Sequence, residues 1–140
     1  MIDAKKYLEE IAKDDAVIKN KLAEIRRLES LATSISVSPS NTPVQSSGNN
    51  DKVGKFAADI ADKKAEWQLF VNKLEEKREK RIKVIEQLED RLQYSVIYKR
   101  YVDQKKFEDI AEEEHYSYRW VLTVHSKGMK KLQNILNTSH

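Results

Sequence analysis

The chain has no cysteine and only 3 glycines and 2 prolines among its 140 residues. The absence of cysteine excludes disulfides, thiolate nucleophiles and cysteine-bound zinc, and it is typical of a protein that works in a reducing cytosol. Few helix-breaking residues together with 35% charged side chains predict long helices and an all-α fold. Because only 39% of the residues are apolar, we expect burial along thin amphipathic seams, which often need a second copy of the chain.

Signals for membrane insertion, export and catalysis are also missing. No stretch approaches the roughly 20 apolar residues of a membrane span, and residues 1–15 lack the apolar centre of a signal peptide. There is no glycine-rich phosphate loop, no metal-ligand spacing and no Ser/His/Asp arrangement beyond chance. We therefore predict a cytoplasmic protein that is not an enzyme and has no cofactor or metal, with His115 and His125 as structural or solvated histidines.

The net charge of +3 is unevenly distributed. Residues 31–50 carry no charge, and the segments before and after them, to residue 90, are balanced. Residues 91–140 hold nine basic and six acidic side chains, which accounts for the whole net charge. An anionic partner is therefore expected to bind this last third of the chain.

Two long helical patterns occupy residues 1–90. Apolar residues recur at helical spacing from Asp3 to Ser30 and again from about Asp51 to Asp90. The segment between them, residues 31–50, contains Pro39 and Pro43 and is rich in serine and threonine, which predicts a flexible linker. We predict a long, coiled-coil-like antiparallel hairpin, interrupted where charged residues replace apolar ones at Lys63 and Arg81.

The hairpin is expected to serve as an oligomerisation domain of residues 1–90. Its apolar seam includes Trp67, Phe70, Val71 and Leu74, and one partner helix need not cover that seam completely. A homo-oligomer is therefore predicted.

Residues 91–140 read as a second domain built of shorter helices. The predicted helices are 93–101, 107–115 and a last one that begins after Ser117, a suitable N-cap, and runs to about Leu136. Two short helices across a tight turn, with the small Ala111 at their contact, are typical of a helix-turn-helix.

The last helix is predicted to be the DNA-contacting one. It carries four basic and no acidic residues, whereas the helix before it carries five acidic and no basic ones. Its predicted buried side consists of Val121, Val124, Met129, Leu132, Ile135 and Leu136. The residues expected to contact DNA are Tyr118, Arg119, Thr123, Ser126, Lys127, Lys130 and Lys131.

The segment from Tyr98 to Leu132 resembles region four of bacterial sigma factors through Ile110-Ala111, Ser117, Val121, Val124, Leu132 and the lysine-rich end. The fuller chain resembles phage and prophage regulators of low-GC Gram-positive bacteria that include the ArpU and RinA late-gene activators. Thr33-Ser34-Ile35-Ser36 and Asp51-Lys52-Val53-Gly54 carry that wider resemblance. The chain departs from the pattern at His115, where glycine is usual, and at Gly128, where alanine is common.

The resemblance implies a regulator of phage or prophage late genes that binds double-stranded DNA. By position, Tyr118, Arg119 and Thr123 would face base edges, and Lys127, Lys130 and either Lys99 or Arg100 would serve phosphates. An ion pair of Arg119 with the acidic helix is the alternative to base contact. Trp120 is expected to pack in a core or in an interface.

Two other functions remain open. A phage small terminase subunit also joins a helix-turn-helix to an oligomerising hairpin, although it usually places the helix-turn-helix first. A protein that binds host RNA polymerase without touching DNA is the second, because the acidic helix suits such docking.

Overall fold

The computed structural model of the chain describes residues 2–37 and 47–139, and every regular element among them is an α-helix. The predicted all-α class is therefore confirmed. The helices are α1 (Ala4–Val37), α2 (Ser47–Ile85), α3 (Arg91–Tyr101), α4 (Phe107–Glu114) and α5 (Tyr118–Ser139). Within the described ranges, none of these helices is both long and apolar enough to cross a membrane.

The predicted linker, residues 31–50, is helical at both of its ends. Helix α1 continues to Val37 and helix α2 already begins at Ser47, while residues 38–46 lie outside the described part of the chain. Serine and threonine did not end α1, because a hydroxyl can be satisfied inside a helix: that of Thr33 donates to the carbonyl oxygen of Glu29 at 2.9 Å. Pro39 is the first residue after Leu31 that a helix interior excludes.

Helix α2 ends at Ile85, five residues before the predicted end at Asp90. Asp90 instead caps the next helix, since its side chain accepts a hydrogen bond from the backbone N–H of Gln93 at 2.9 Å. An acidic residue followed three positions later by glutamine is a recognised helix-start pattern. The sequence therefore carried a signal for this boundary.

The chain forms two compact units, and their limits do not coincide with the predicted boundary at residue 90. The first unit combines Met1–Ala16 with Glu75–His140, and the second is Val17–Leu74. The first turns of α1 thus belong to the same unit as α3, α4 and α5.

The first unit has two apolar clusters. The larger one brings the start of α1 and the end of α2 onto α3 and α5, through Ala4, Leu8, Ile11, Ile85, Leu88, Ile97, Tyr101, Val102, Leu132 and Leu136. The smaller one joins α3, α4 and α5 through Val96, Ile110, Ala111, Val121 and Val124. Helix α5 contributes to both clusters, so its buried side is set by contacts along most of its length.

The second unit is held by a narrow seam. Ile18 and Ile25 of α1 lie buried with Val71 of α2, and Leu22, Trp67 and Leu74 pack at the edges. The ammonium of Lys21 sits 4.6 Å from the centre of the Trp67 ring.

The two predicted interruptions of the seam have different outcomes. Lys63 is exposed. Arg81 is partly buried within the first unit, where its guanidinium donates to the carboxylate of Asp14 at 3.2 Å and lies 5.0 Å from the centre of the Tyr7 ring. A charged residue is thus accommodated there because a charged partner comes from the facing helix.

Gly128 lets α3 and α5 approach each other closely. A Cβ atom at this position would lie 2.5 Å from Cδ1 of Ile97 and 3.3 Å from Cβ of Gln93. Glycine costs a helix about 1 kcal/mol relative to alanine, but at this position alanine would require the buried Ile97 side chain to shift.

Candidate nucleic-acid interface

Helix α4 ends in a tight turn centred on His115. The N–H of His115 donates to the carbonyl of Glu112 at 3.3 Å, and the N–H of Tyr116 donates to that of Ala111 at 3.0 Å. His115 adopts φ 61° and ψ 40°, the left-handed conformation that glycine favours. Helix α5 begins three residues later, at Tyr118, so the turn sets the angle between the two helices.

We expect His115→Gly to stabilise the protein by about 1 kcal/mol. A side chain in the left-handed region costs roughly 1–2 kcal/mol, part of which is returned as the greater freedom of glycine in the unfolded chain. Chemical denaturation of both proteins measures the difference. His115→Ala is the matched control, because it removes the imidazole and keeps the Cβ; if alanine stabilised as much as glycine, backbone strain would not be the cause.

Ser117 starts α5 as predicted. Its hydroxyl oxygen accepts from the N–H of Trp120 at 3.1 Å, and its carbonyl accepts from the N–H of Val121 at 3.0 Å. The cap satisfies one of the free donors in the first turn. The rotational setting of α5 is therefore fixed from its first residue.

The buried side of α5 agrees closely with the prediction. Val121, Val124, Leu132 and Leu136 are buried. Met129 and Ile135 are only partly buried, and both pack against the larger cluster. Gly128 is also buried, which the pattern of apolar side chains did not predict because glycine has no side chain.

The seven predicted DNA-contacting residues of α5 are together called its outer face. Six of them are exposed and Thr123 is partly buried. The set is Tyr118, Arg119, Thr123, Ser126, Lys127, Lys130 and Lys131. At 100° per residue, five of these lie within one half of the helix surface opposite Val121 and Leu132, whereas Tyr118 and Lys131 flank it.

The cations of the outer face are free of carboxylates. Within the described residues, Arg119, Lys127, Lys130 and Lys131 make no ion pair, so the expected alternative of an Arg119 ion pair with the acidic helix is not observed. Lys127 has its ammonium 5.4 Å from the centre of the Trp120 ring. The hydroxyl of Thr123 donates to the carbonyl of Arg119 at 3.1 Å, which holds Thr123 to the helix and leaves its lone pairs accessible.

The acidic residues at the end of α4 are neutralised from other elements. Lys99 lies 3.0 Å from Glu113 and 3.1 Å from Glu114, and Lys105 lies 2.8 Å from Glu113. Hydrogen bonds from Lys105 and Lys99 lower the pKa of Glu113. A hydrogen bond from Ser95 lowers the pKa of Glu114, assisted by Lys99.

Lys99 and Arg100, the residues also predicted to serve phosphates, both have partners within the fold. Lys99 is occupied by two carboxylates, and its hydrogen bond to Glu113 raises its pKa. Arg100 donates to the carbonyl of Lys105 at 3.1 Å and stacks at 4.3 Å over the ring of Phe107. Lys99 meets these carboxylates because α3 lies beside α4, which spacing along the chain does not reveal.

Trp120 does not occupy the core of the chain, since it is 42% exposed. Tyr116 and Tyr118 on either side of Ser117 are exposed as well. The first turn of α5 therefore presents Tyr118 and Trp120 together with Arg119, and Lys127 of a later turn reaches the Trp120 ring. This arrangement can meet an anionic, partly apolar surface, such as a duplex groove with its thymine methyl groups.

The two histidines of this region have separate surroundings. His115 is exposed in the turn, and His125 lies with its Nε2 2.8 Å from the Tyr101 hydroxyl. Among the described residues, no three His, Cys, Asp or Glu side chains come together in a way that could hold a metal ion.

Comparison with known proteins gives no relative: the chain matches no protein-family model, no curated protein and no solved structure at a significant level. Its function is therefore inferred from its own side chains.

Proposed function

We propose that the chain is a sequence-specific DNA-binding transcription regulator in which α4 and α5 act as a helix-turn-helix. The observation that carries the proposal is the outer face of α5, where four cations lie exposed without a carboxylate partner among the described residues. Unpaired lysine and arginine side chains on one helix face can replace the counterions of DNA phosphates, which supplies most of non-specific affinity.

The local geometry of α4 and α5 supports this use. The turn at His115 and the cap at Ser117 join two helices whose contact is filled by Ile110, Ala111 and Val121. A second helix held in this way can enter a major groove with its first turns at the base edges. Arg119, in the first turn, would then bond guanine, and Lys127 and Lys130 would meet the backbone.

Lysines on neighbouring segments partly compensate the negative charge of α4, which also favours binding to DNA. Glu113 and Glu114 are paired with lysines. The remaining acidic residues, Glu108, Asp109 and Glu112, are exposed and form no ion pair within the described residues. They would point away from the phosphates, or they would serve the alternative function of docking on host RNA polymerase without DNA.

Substitutions on the outer face test the proposal. With a duplex selected from a random pool, Arg119→Ala should weaken binding by about 1–3 kcal/mol and relax the preference at one base position. Lys127→Ala and Lys130→Ala should weaken binding to selected and random duplexes alike, and each should lower the salt dependence by about one phosphate contact. Titrations at several salt concentrations measure both effects.

Lys77→Ala is the matched control, because it removes the same charge from an exposed position of α2. It should leave binding unchanged. If Arg119→Ala and Lys127→Ala both bound like the parent protein, α5 would lie outside the interface. Direct binding to RNA polymerase would then be the better hypothesis.

We further propose that α1 and α2 form an antiparallel hairpin through which the chain self-associates. Within the second unit, Lys21 lies over Trp67 and the later residue Glu29 lies 3.8 Å from the earlier residue Lys64, which is the order expected of antiparallel helices. Phe70 remains 44% exposed beside this seam. Covering its exposed part stabilises an interface by roughly 1 kcal/mol, less than half of the value for burying a whole phenylalanine.

Sedimentation of the full chain at tens of micromolar tests the self-association. We expect an oligomer, and Trp67→Asp should weaken it because a carboxylate would enter the seam. Lys63→Asp is the control, since Lys63 is exposed in the same helix. A monomer at that concentration would contradict the proposal.

The biological setting is proposed from the sequence resemblance alone. It assigns the regulator to phage or prophage late genes and to the cytoplasm of the bacterial host. The order of the elements, with the helix-turn-helix last, favours this regulator over a small terminase subunit.

A further inference from the structure

The first unit contains an open cavity of about 540 Å³ on the side of α5 away from Arg119 and Lys130. Helices α1, α3, α4 and α5 and the segment between α3 and α4 contribute to it. Its lining consists of Lys5, Glu9, Ala12, Lys13, Arg100, Tyr101, Gln104, Phe107 and His125. The volume falls within the range of about 300–1,000 Å³ that is usual for small-molecule sites.

The lining is predominantly cationic. The charged residues of the lining are three cations, Lys5, Lys13 and Arg100, and one carboxylate, that of Glu9. Lys13 is engaged with Glu10 at 3.3 Å, outside the lining. Lys5 and Arg100 have no carboxylate within 4.0 Å in the part of the chain that the structure describes. Two cations are therefore available to a ligand.

The positive charges of Arg100 and Lys5 both act on His125. Burial is the main cause that lowers the pKa of His125 to about 4, and the charges of Arg100 and Lys5 lower it further. Arg100 is also held in position, since one N–H donates to the carbonyl of Lys105 and its Cζ lies 4.3 Å from the centre of the Phe107 ring. The remaining donors of its guanidinium are preorganised for an anion.

An aromatic wall lies next to these cations. The His125 ring stacks on Tyr101 with centroids 5.7 Å apart, and Phe107 meets His125 edge-on at 5.0 Å. The hydrogen bond between the Tyr101 hydroxyl and Nε2 of His125 holds the two rings together. Such a wall provides a surface on which a planar ring can pack.

We propose that this cavity binds a small planar aromatic anion. The carboxylate or phosphate lies between Lys5 and Arg100, and the ring packs against Phe107 and Tyr101. Glu9 accepts a hydrogen bond from an amino or hydroxyl group of the ligand, which favours compounds that carry such a donor. This site is distinct from the outer face of α5 and does not rest on DNA binding.

Four probes added to the full chain test the proposal. They are 4-aminobenzoate, adenosine 5′-monophosphate, inorganic phosphate and aniline, which separate an aromatic carboxylate, an aromatic phosphate, an anion without a ring and a ring without an anion. We expect at least one of the first two to raise the unfolding temperature at millimolar concentration, because a ligand of the folded state stabilises it. The same ligand should raise the pKa of His125, read from its ring resonances in an NMR titration, because a bound anion favours the imidazolium.

Paired lysine variants locate the site. Lys5→Gln and Arg100→Gln should each weaken binding of the effective probe about tenfold or more, as expected for a charge-assisted hydrogen bond. Lys6→Gln, at the next position of α1, is exposed and outside the lining, and it should leave binding unchanged. The proposal is overturned if neither aromatic anion binds, if inorganic phosphate or aniline binds as tightly as they do, or if Lys5→Gln and Lys6→Gln act alike.

Discussion

A fragment comprising residues 91–140 is expected to remain unfolded, although the sequence reads as if a domain began there. In the intact chain, Leu132, Leu136 and Ile97 are covered by Leu8 and Ile11 of α1 and by the end of α2. Removing those two covering segments takes away four large buried side chains, Leu8, Ile11, Ile85 and Leu88. At about 1.5–3 kcal/mol for each, the loss is comparable with the whole stability of a small domain.

A matched control keeps those segments. Ala16 and Glu75 can be joined by a short glycine-serine linker, because Asp15 and Arg78 are in contact at 2.6 Å. This excised first unit should unfold cooperatively, whereas the fragment 91–140 should show no cooperative transition by circular dichroism. Cooperative unfolding of the fragment would support the predicted boundary at residue 90 and contradict this expectation.

The chain should lose about 1–2 kcal/mol of stability between pH 6.5 and pH 4 because of His125, since water screens part of the effect at its partly exposed ring. Burial, with Arg100 and Lys5, lowers the pKa of His125 from 6.5 to about 4 in the folded chain. Within this window the unfolded chain takes up a proton that the folded chain does not, so falling pH favours unfolding. The contribution is fully present above pH 6.5 and lost as pH falls toward 4, with a slope below the limit of about 1.36 kcal/mol for each pH unit.

Denaturant titrations at half-unit steps of pH measure this dependence. His125→Gln is the control, since it retains a polar group near Tyr101 and does not titrate; its stability should be nearly level between pH 6.5 and pH 5. Glu113 and Glu114, whose pKa values are lowered, lose their contribution only as pH falls below the usual range of a glutamate. A variant with the same slope as the parent protein would exclude His125 as the cause.

Features of α5 that depend on nearby residues were predictable. Ser117 as the cap and Val121, Val124 and Leu132 as the buried side follow from short-range spacing, and the structure agrees. The outward position of Arg119 and Lys130 then follows from helix geometry alone.

Lys99 and Trp120 have surroundings that the sequence did not reveal. Lys99 looks like a free cation in the sequence but is paired with Glu113 and Glu114, fourteen and fifteen positions away. Trp120, expected in a core or an interface, lies outside the core of the chain on the exposed first turn of α5. In both cases the outcome depends on which helices become neighbours, and residue type carries no information about that.

The sequence by itself determined the helical class, the start of α5 and the direction in which its outer face points, because these follow from periodicity and from contacts within a few residues. Only the tertiary structure decided that the first turns of α1 share a core with α5, that His125 is held neutral beside Arg100 and Lys5, and that Gly128 admits Ile97. Each of these joins residues at least 25 positions apart in the sequence. Such contacts form when apolar surfaces far apart in the sequence are removed from water together. The gain depends on the area buried and does not specify which segments meet.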